Sequence, residues 1–332
     1  MNFHELGFNF LTKCFDELIA KNFHIEKYWN IDHLCYRTST EEQYNKIKTL
    51  LGQNSVLLIE SEVNGRLIST FKLDQAIAFQ NWYIDLIEVP APKKGKLTND
   101  GFEHFEIVSD LPMAELKEKY SKFQMNEMGL SKSINPELEF QFNNFAIKFH
   151  PISLASVINI ESNVSLFKAI KESDIFNILK EMDPVIVGTF PLNLNISNSD
   201  IDILISSSDL NFTKEIFIKF FSRHLNFSLN THIIDKEIAL ILNFEFQNFK
   251  FEIVAQHKPI VKQTAFRHFI LEERILKLSN KNYIKKLQEL RSQGLKTEPA
   301  FAKLLNLEGD PYQAILNLNS KSDIELFSLV NR

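Results

Sequence analysis

The sequence has only two cysteines in 332 residues. Cys14 and Cys35 sit in apolar segments without the spacing of a metal knuckle, so both read as packing residues and no disulfide framework is expected. No apolar run is long enough to cross a bilayer. The N-terminal stretch MNFHELGFNFLTKCFDELIAKNF lacks the basic start, apolar centre and small-residue cleavage site of a signal peptide. It reads instead as an amphipathic helix, and a cytoplasmic location without membrane partners is expected. There is no excess of positive charge either: 37 Lys and Arg face 42 Asp and Glu, a formal net charge of -5. General nucleic-acid binding is therefore not expected, since a polyanion would need a local basic patch. The basic run from Lys277 to Lys296 carries Leu and Ile at helical spacing, as a solvated helix face does. Glycine is scarce at 9 and phenylalanine abundant at 30, which points to large packed cores.

Hydrophobic residues make up 44% and charged residues 24%, the balance of a globular protein. The length is about twice that of a single-core domain, so two domains are expected. From Ile31 to Val89 the pattern runs strand, helix, strand, strand, strand: IDHLCYRT, TEEQYNKIKTLL, SVLLIESEV, the Asn64-Gly65 turn, RLISTFKL and WYIDLIEVP. Asn-Gly between alternating runs is a strong hairpin signal. From Phe102 the order recurs as FEHFEIVS, MAELKEKYSKF, a strand near GLSKSI, LEFQFNN and FAIKFHPIS, with Asn143-Asn144 as the last turn. Two copies of one βαβββ unit are predicted. Asp32-His33 in the first strand of one copy matches Glu103-His104 in the other, and the Glu88 end matches the His150 end.

On the stretches DHLCYRTSTEEQY, ESEVNGRLISTFKL, IDLIEVPAP and GFEHFEIV, residues 25 to 155 resemble the YecM-type branch of the vicinal oxygen chelate superfamily. The resemblance implies paired units forming a cupped sheet, with His33, Glu88, His104 and His150 as ligands for a divalent transition metal such as Zn, Ni, Mn or Fe. Imidazoles and a carboxylate with open positions suit a Lewis acid acting on a chelating small-molecule ligand. Strand histidines are also common as hydrogen-bonded core residues, and no local ligand spacing marks this set.

A change of pattern near residue 160 marks a seam, giving domains 1-160 and 161-332. Beyond it VSLFKAIKESDIFNILKEM reads as one amphipathic helix. Then PVIVGTFPLNLNISNSDIDILISSS reads as a buried strand, a turn, a loop and a second strand. In Asp200-Ile201-Asp202-Ile203 the period of two sets both aspartates on one face, about 6 to 7 Å apart at the backbone. Two such anions repel unless a cation lies between them, and Mg²⁺ with a triphosphate uses few protein carboxylates. Gly188-Thr189 allows close approach of phosphate oxygens to backbone and hydroxyl. In KFEIVAQ, Glu252 adds a third carboxylate.

This order resembles the polymerase-beta type nucleotidyltransferase superfamily: a Gly-Ser turn, an acidic-x-acidic strand, then a third acid on a later strand. VGTFPLNLNISNSDIDI, FEIVAQHKPIVKQTAFRH and GLKTEPAFAKLLNLEGDPY look like an uncharacterised bacterial family of that fold. The resemblance implies Asp200, Asp202 and Glu252 as Mg²⁺-binding catalytic residues, and Gly188, Thr189 and Ser199 as the nucleotide-binding set. Thr replaces the commoner Ser, and Glu the commoner Asp. The overall class is thus α+β, with an N-terminal vicinal oxygen chelate fold and a C-terminal mixed-sheet nucleotidyltransferase-like core followed by helices. The leading reading is transfer of a nucleoside monophosphate from a nucleotide triphosphate to an unidentified acceptor. Its rivals are a metal-dependent lyase, isomerase or dioxygenase in the N-terminal half, and a pair of catalytically silent binding modules. Arg267, His268, Lys258 and Lys262 are further phosphate-reaching residues or plain surface charge. Lys296-Thr297-Glu298-Pro299 is read as a helix opening.

Overall fold

The computed structural model describes residues 1–95 and 97–331. Among the described residues thirteen strands fall into two sheets. Those of the N-terminal half are β1 (Asn30–Arg37), β2 (Ser55–Val63), β3 (Arg66–Phe79), β4 (Trp82–Pro90), β5 (Gly101–Val108), β6 (Met125–Asn126), β7 (Leu138–Gln141) and β8 (Ala146–His150). Their order is β2-β3-β4-β1-β5-β8-β7-β6. The first unit supplies β2-β3-β4-β1 and the second β5-β8-β7-β6, so the two copies meet where β1 pairs antiparallel with β5. Asn64 and Gly65 both take positive φ in the β2–β3 turn, as a tight hairpin requires. One strand departs from its predicted place. GLSKSI is not extended: β6 is only Met125–Asn126, and Met128–Ser131 coils into a 3₁₀ turn.

Alternation sorts the sheet's two faces. Leu34, Tyr36, Phe105, Ile107, Ile147 and Phe149 join the apolar core beneath the helix Phe3–Ala20 and its neighbours. The intervening residues His33, Cys35, His104, Glu106, Lys148 and His150 point the other way. A register shift between Ile31 and His33 lets Ile31 enter the core and still turns His33 to the polar face, the re-aiming that a bulge achieves.

The C-terminal half holds β9 (Val185–Val187), β10 (Ile201–Ser206), β11 (Leu225–Ile234), β12 (Glu237–Phe246) and β13 (Phe249–Gln256), in the order β11-β12-β13-β10-β9. β10 lies parallel to β13 and antiparallel to β9, so the sheet is mixed. Helices follow from Thr264 to Val330. The single helix expected over 164–182 is broken. It runs as Val164–Glu172 and Ile175–Ile178 with Asp174 in the left-handed region between them, and a 3₁₀ turn at Lys180–Met182 follows. A separate apolar core, from Ile152 to Val330, fills this half.

The halves are joined by buried polar contacts. Within the C-terminal half the Arg274 guanidinium donates to Asp323 Oδ1 at 3.1 and 2.9 Å, fixing a carboxylate that the N-terminal half also reaches. The Tyr83 amide reaches Asp323 Oδ2 at 3.4 Å, and Lys277 Nζ donates to Asn30 Oδ1 at 2.6 Å and the Ile31 carbonyl at 3.0 Å. Lys277, read from sequence as part of a solvated basic face, is therefore an inter-half contact. No helix among the described residues is long and apolar enough to cross a membrane.

Candidate functional site

Two polar centres stand out, one on each sheet. In the C-terminal half, Gly188 follows β9 with φ +76°, and a Cβ built there would stand 1.9 Å from Asp202 Oδ2. The bare glycine is thus the space into which the Asp202 carboxylate fits. Asp202 pairs with Val187 on one side and with Glu252 on the other. Asp200 precedes β10 by one residue.

Burial, then the charges of Glu252, Asp200 and Glu298, push Asp202 up to about 8. Burial and Asp200 also raise Glu252, with His232 and Lys296 acting against them. The loop between is pinned from within: Thr189 O accepts the Leu194 amide at 2.9 Å, and Ser199 Oγ accepts the Ile196 amide at 2.9 Å.

Glu298, assigned from sequence only to a helix opening, lies close enough to Asp202 to raise it. The helix Thr297–Leu304 does begin there, without a side-chain cap. Glu298 also faces His268 Nδ1 at 3.8 Å. The other basic residues are elsewhere. Lys258, Lys262 and Arg267, with His268, line a separate cleft past Gln256 at the end of β13. That end is about 13 Å along the strand from Glu252, and Lys258 already pairs with Asp235 at 3.2 Å.

The second centre lies on the polar face of the eight-stranded sheet. Cys35 pairs with Glu88 on β4 and with His104 on β5, while His33 pairs with Glu106 and Glu106 with Lys148. Each histidine commits Nδ1 to a fixed partner: His33 to Asp32 Oδ2 at 2.9 Å, His104 to Glu103 Oε2 at 3.2 Å and His150 to the Ile152 carbonyl at 2.5 Å. These partners set the tautomer and leave Nε2 as the inward atom.

All three Nε2 atoms are buried without a hydrogen-bond partner. They face carboxylates instead: His33 and His104 lie 3.6 and 3.2 Å from Glu106 Oε1, and His150 lies 3.4 Å from Glu106 Oε2 and 3.6 Å from Asp32 Oδ2. Burial opposes charge on His33, but Glu106 and Asp32 push its imidazole well above the usual range. Burial likewise opposes charge on His104; Cys35 and Glu103 outweigh it and raise the group to about 10. Burial would raise Glu106, yet Lys148 and the two histidines hold it well below the carboxylate range.

The structure distributes the four predicted ligands over two adjoining groups. Within each, ligand atoms lie within 4.8 Å of one another: Asp32, His33 and His150 form one, Cys35, Glu88 and His104 the other. Asp32, Cys35 and Glu106 were not picked out by sequence reasoning. For Cys35 and Glu106 the signal was the period of two in His33-x-Cys35 and His104-x-Glu106, which places each pair on one face; Asp32 has no such signal. Among the described residues these are the groups gathered that tightly. Asp200, Asp202 and Glu252 are not gathered that tightly.

The chain therefore pairs a duplicated βαβββ sheet with a mixed five-stranded sheet followed by helices. Residues 7–161 match the family described as YecM protein, and residues 168–318 a domain of unknown function, DUF4269. An uncharacterized protein of Haemophilus influenzae is 29% identical over 166 residues, covering 44% of this chain and 87% of the relative. Protein YecM of Escherichia coli is 27% identical over 155 residues, 40% of this chain and 78% of the relative. A solved structure titled Protein EC4020 aligns with 47% of this chain and 89% of its own at 22% identity, with a TM-score of 0.40.

Proposed function

We propose that the chain is a Mg²⁺-dependent nucleotidyltransferase acting in the cytoplasm, with the catalytic centre in domain 161–332. Domain 1–160 holds a divalent transition metal and a small-molecule ligand. The observation that carries the first part is the Asp202 carboxylate, seated on Gly188 beside Glu252 and raised to about 8 by burial and three neighbouring acids. Hard carboxylate oxygens that form no direct ion pair among the described residues suit Mg²⁺. Asp200, Asp202 and Glu252 would hold the ion, which supplies charge neutralisation on the triphosphate.

The protein's own groups do the rest. Gly188 φ +76° and the Gly188–Thr189 amides present backbone donors to phosphate oxygens. Glu252, raised above its ordinary value, suits acceptance of the proton from an acceptor hydroxyl. Ser199 holds the loop ahead of Asp200 in place. Incubation with each of the four NTPs and Mg²⁺, followed by measurement of pyrophosphate release with candidate acceptors, tests the reading. Release lost in Asp202→Asn supports it, and a background rate with every NTP, even in the presence of protein, RNA and small-molecule acceptors, speaks against it.

A second reading has its own observation. Three inward imidazole nitrogens without partners fit a transition metal, which would supply Lewis acidity to a chelating substrate. In this reading the lyase, isomerase or dioxygenase chemistry lies in the N-terminal half, and His104→Ala, rather than Asp202→Asn, removes the activity.

A further inference from the structure

We infer that the N-terminal sheet is built for two metal ions side by side, with Glu106 as the carboxylate between them. This rests on the reading that this half binds a divalent transition metal. His33 and Cys35 occupy one strand two residues apart, so the groups they belong to are about 6 to 7 Å apart at the backbone. One group is Asp32, His33 and His150; the other is Cys35, Glu88 and His104.

Glu106 touches both. Its Oε1 lies 3.6 Å from His33 Nε2 and 3.2 Å from His104 Nε2, and its Oε2 lies 3.4 Å from His150 Nε2. None of these approaches has good hydrogen-bond geometry, so the three nitrogens, in histidines each about 2% exposed, are left poorly matched. Buried polar atoms of this kind call for a ligand. A single ion near one group leaves His104, or both His33 and His150, unmatched, whereas two ions sharing Glu106 would give all three nitrogens a bond.

The donors differ between positions. The first offers imidazole and carboxylate. The second adds the Cys35 sulfur, which stands 3.6 Å from Glu88 Oε1 and favours a softer ion such as Zn²⁺ or Co²⁺. Binding there converts the Cys35 thiol to a thiolate by releasing its proton to solvent, while a sulfur–metal bond forms. Asp32, Glu88, Glu106 and that thiolate then set four negative charges against two divalent ions. The Lys148 ammonium, 3.1 Å from Glu106 and 3.5 Å from Glu137, has Glu137 as its alternative partner.

The test uses the full chain carrying Asp200→Asn/Asp202→Asn, so that ions counted belong to the N-terminal half. The protein is stripped with EDTA and titrated with Co²⁺, and bound metal and the sulfur-to-cobalt charge-transfer absorption are measured together. Two Co²⁺ per chain with that absorption are expected. Cys35→Ser should lose the absorption and one ion, and His33→Gln/His150→Gln should keep the absorption and lose the other ion. One Co²⁺ without sulfur absorption in the Cys35-containing protein overturns the two-ion centre and leaves a single-metal site standing. No bound Co²⁺ overturns both. Because the Cys35-containing protein decides the matter, a poorly folded Cys35→Ser variant does not rescue the idea.

Discussion

Asp202 and Gly188 are shaped to each other: the carboxylate occupies the volume where any other residue at 188 would carry its Cβ, 1.9 Å from Oδ2. Two separate demands fall on the same glycine, the left-handed φ of +76° and the missing side chain. Gly188→Ala should therefore destabilise the protein by about 1 to 3 kcal/mol through backbone strain, and displace Asp202 as well. Urea unfolding measures the first effect and Mg²⁺-nucleotide affinity the second. An alanine variant of unchanged stability and affinity would contradict the account.

The raised Asp202 fixes the direction of a pH effect. Its folded-state value of about 8 lies above the ordinary value of about 4, so the folded protein holds a proton that the unfolded chain releases. The associated stability is present below about pH 4 and is lost as pH rises through about 8. Without metal, Asp202→Asn should thus lose less melting temperature than the unmodified protein between these limits. Mg²⁺ binds the deprotonated carboxylate, so its affinity should climb with pH and level off above about 8. A pH-independent Mg²⁺ titration would sink this assignment.

Glu298 is the least expected member of the acid group. Because its charge helps to raise Asp202, Glu298→Gln should move the pH midpoint of Mg²⁺ binding downward without abolishing binding. Isothermal titration across pH reads the shift. An unmoved midpoint would place Glu298 outside the centre.

Much of this was legible along the chain. The period of two and the Asn64-Gly65 turn gave β2 and β4 their observed bounds, Ser55–Val63 and Trp82–Pro90. The same period placed Asp202 and Glu252 on strands, and the structure sets those strands side by side in register. Other features depended on distant packing. Glu298 comes close to Asp202 only after the C-terminal helices fold back. Glu106 was hidden because its two neighbours Phe105 and Ile107 read simply as core, and nothing local says which strand will face it. The break at Asp174 reflects a left-handed residue inside a run whose apolar spacing alone looks continuous.

Asp323 fastens two C-terminal helices to each other and also takes a contact from the N-terminal half. It is fully buried, paired with the nearly buried Arg274, and also accepts the Tyr83 amide. Asp323→Ala strands the guanidinium, a change that typically costs about 3 to 5 kcal/mol. Chemical unfolding should show that loss. A loss below about 1 kcal/mol, as for an exposed pair, would contradict the role.

The most direct measurement of the central claim is thermal unfolding with each NTP, with and without Mg²⁺, on the unmodified protein and on Asp200→Asn/Asp202→Asn. A ligand at about 100 times its dissociation constant stabilises by about 2.7 kcal/mol, enough for a clear rise in melting temperature. The account predicts a Mg²⁺-dependent rise with at least one NTP that disappears in the double variant. No rise with any NTP in a cooperatively melting protein, or one that persists without the two aspartates, would contradict it.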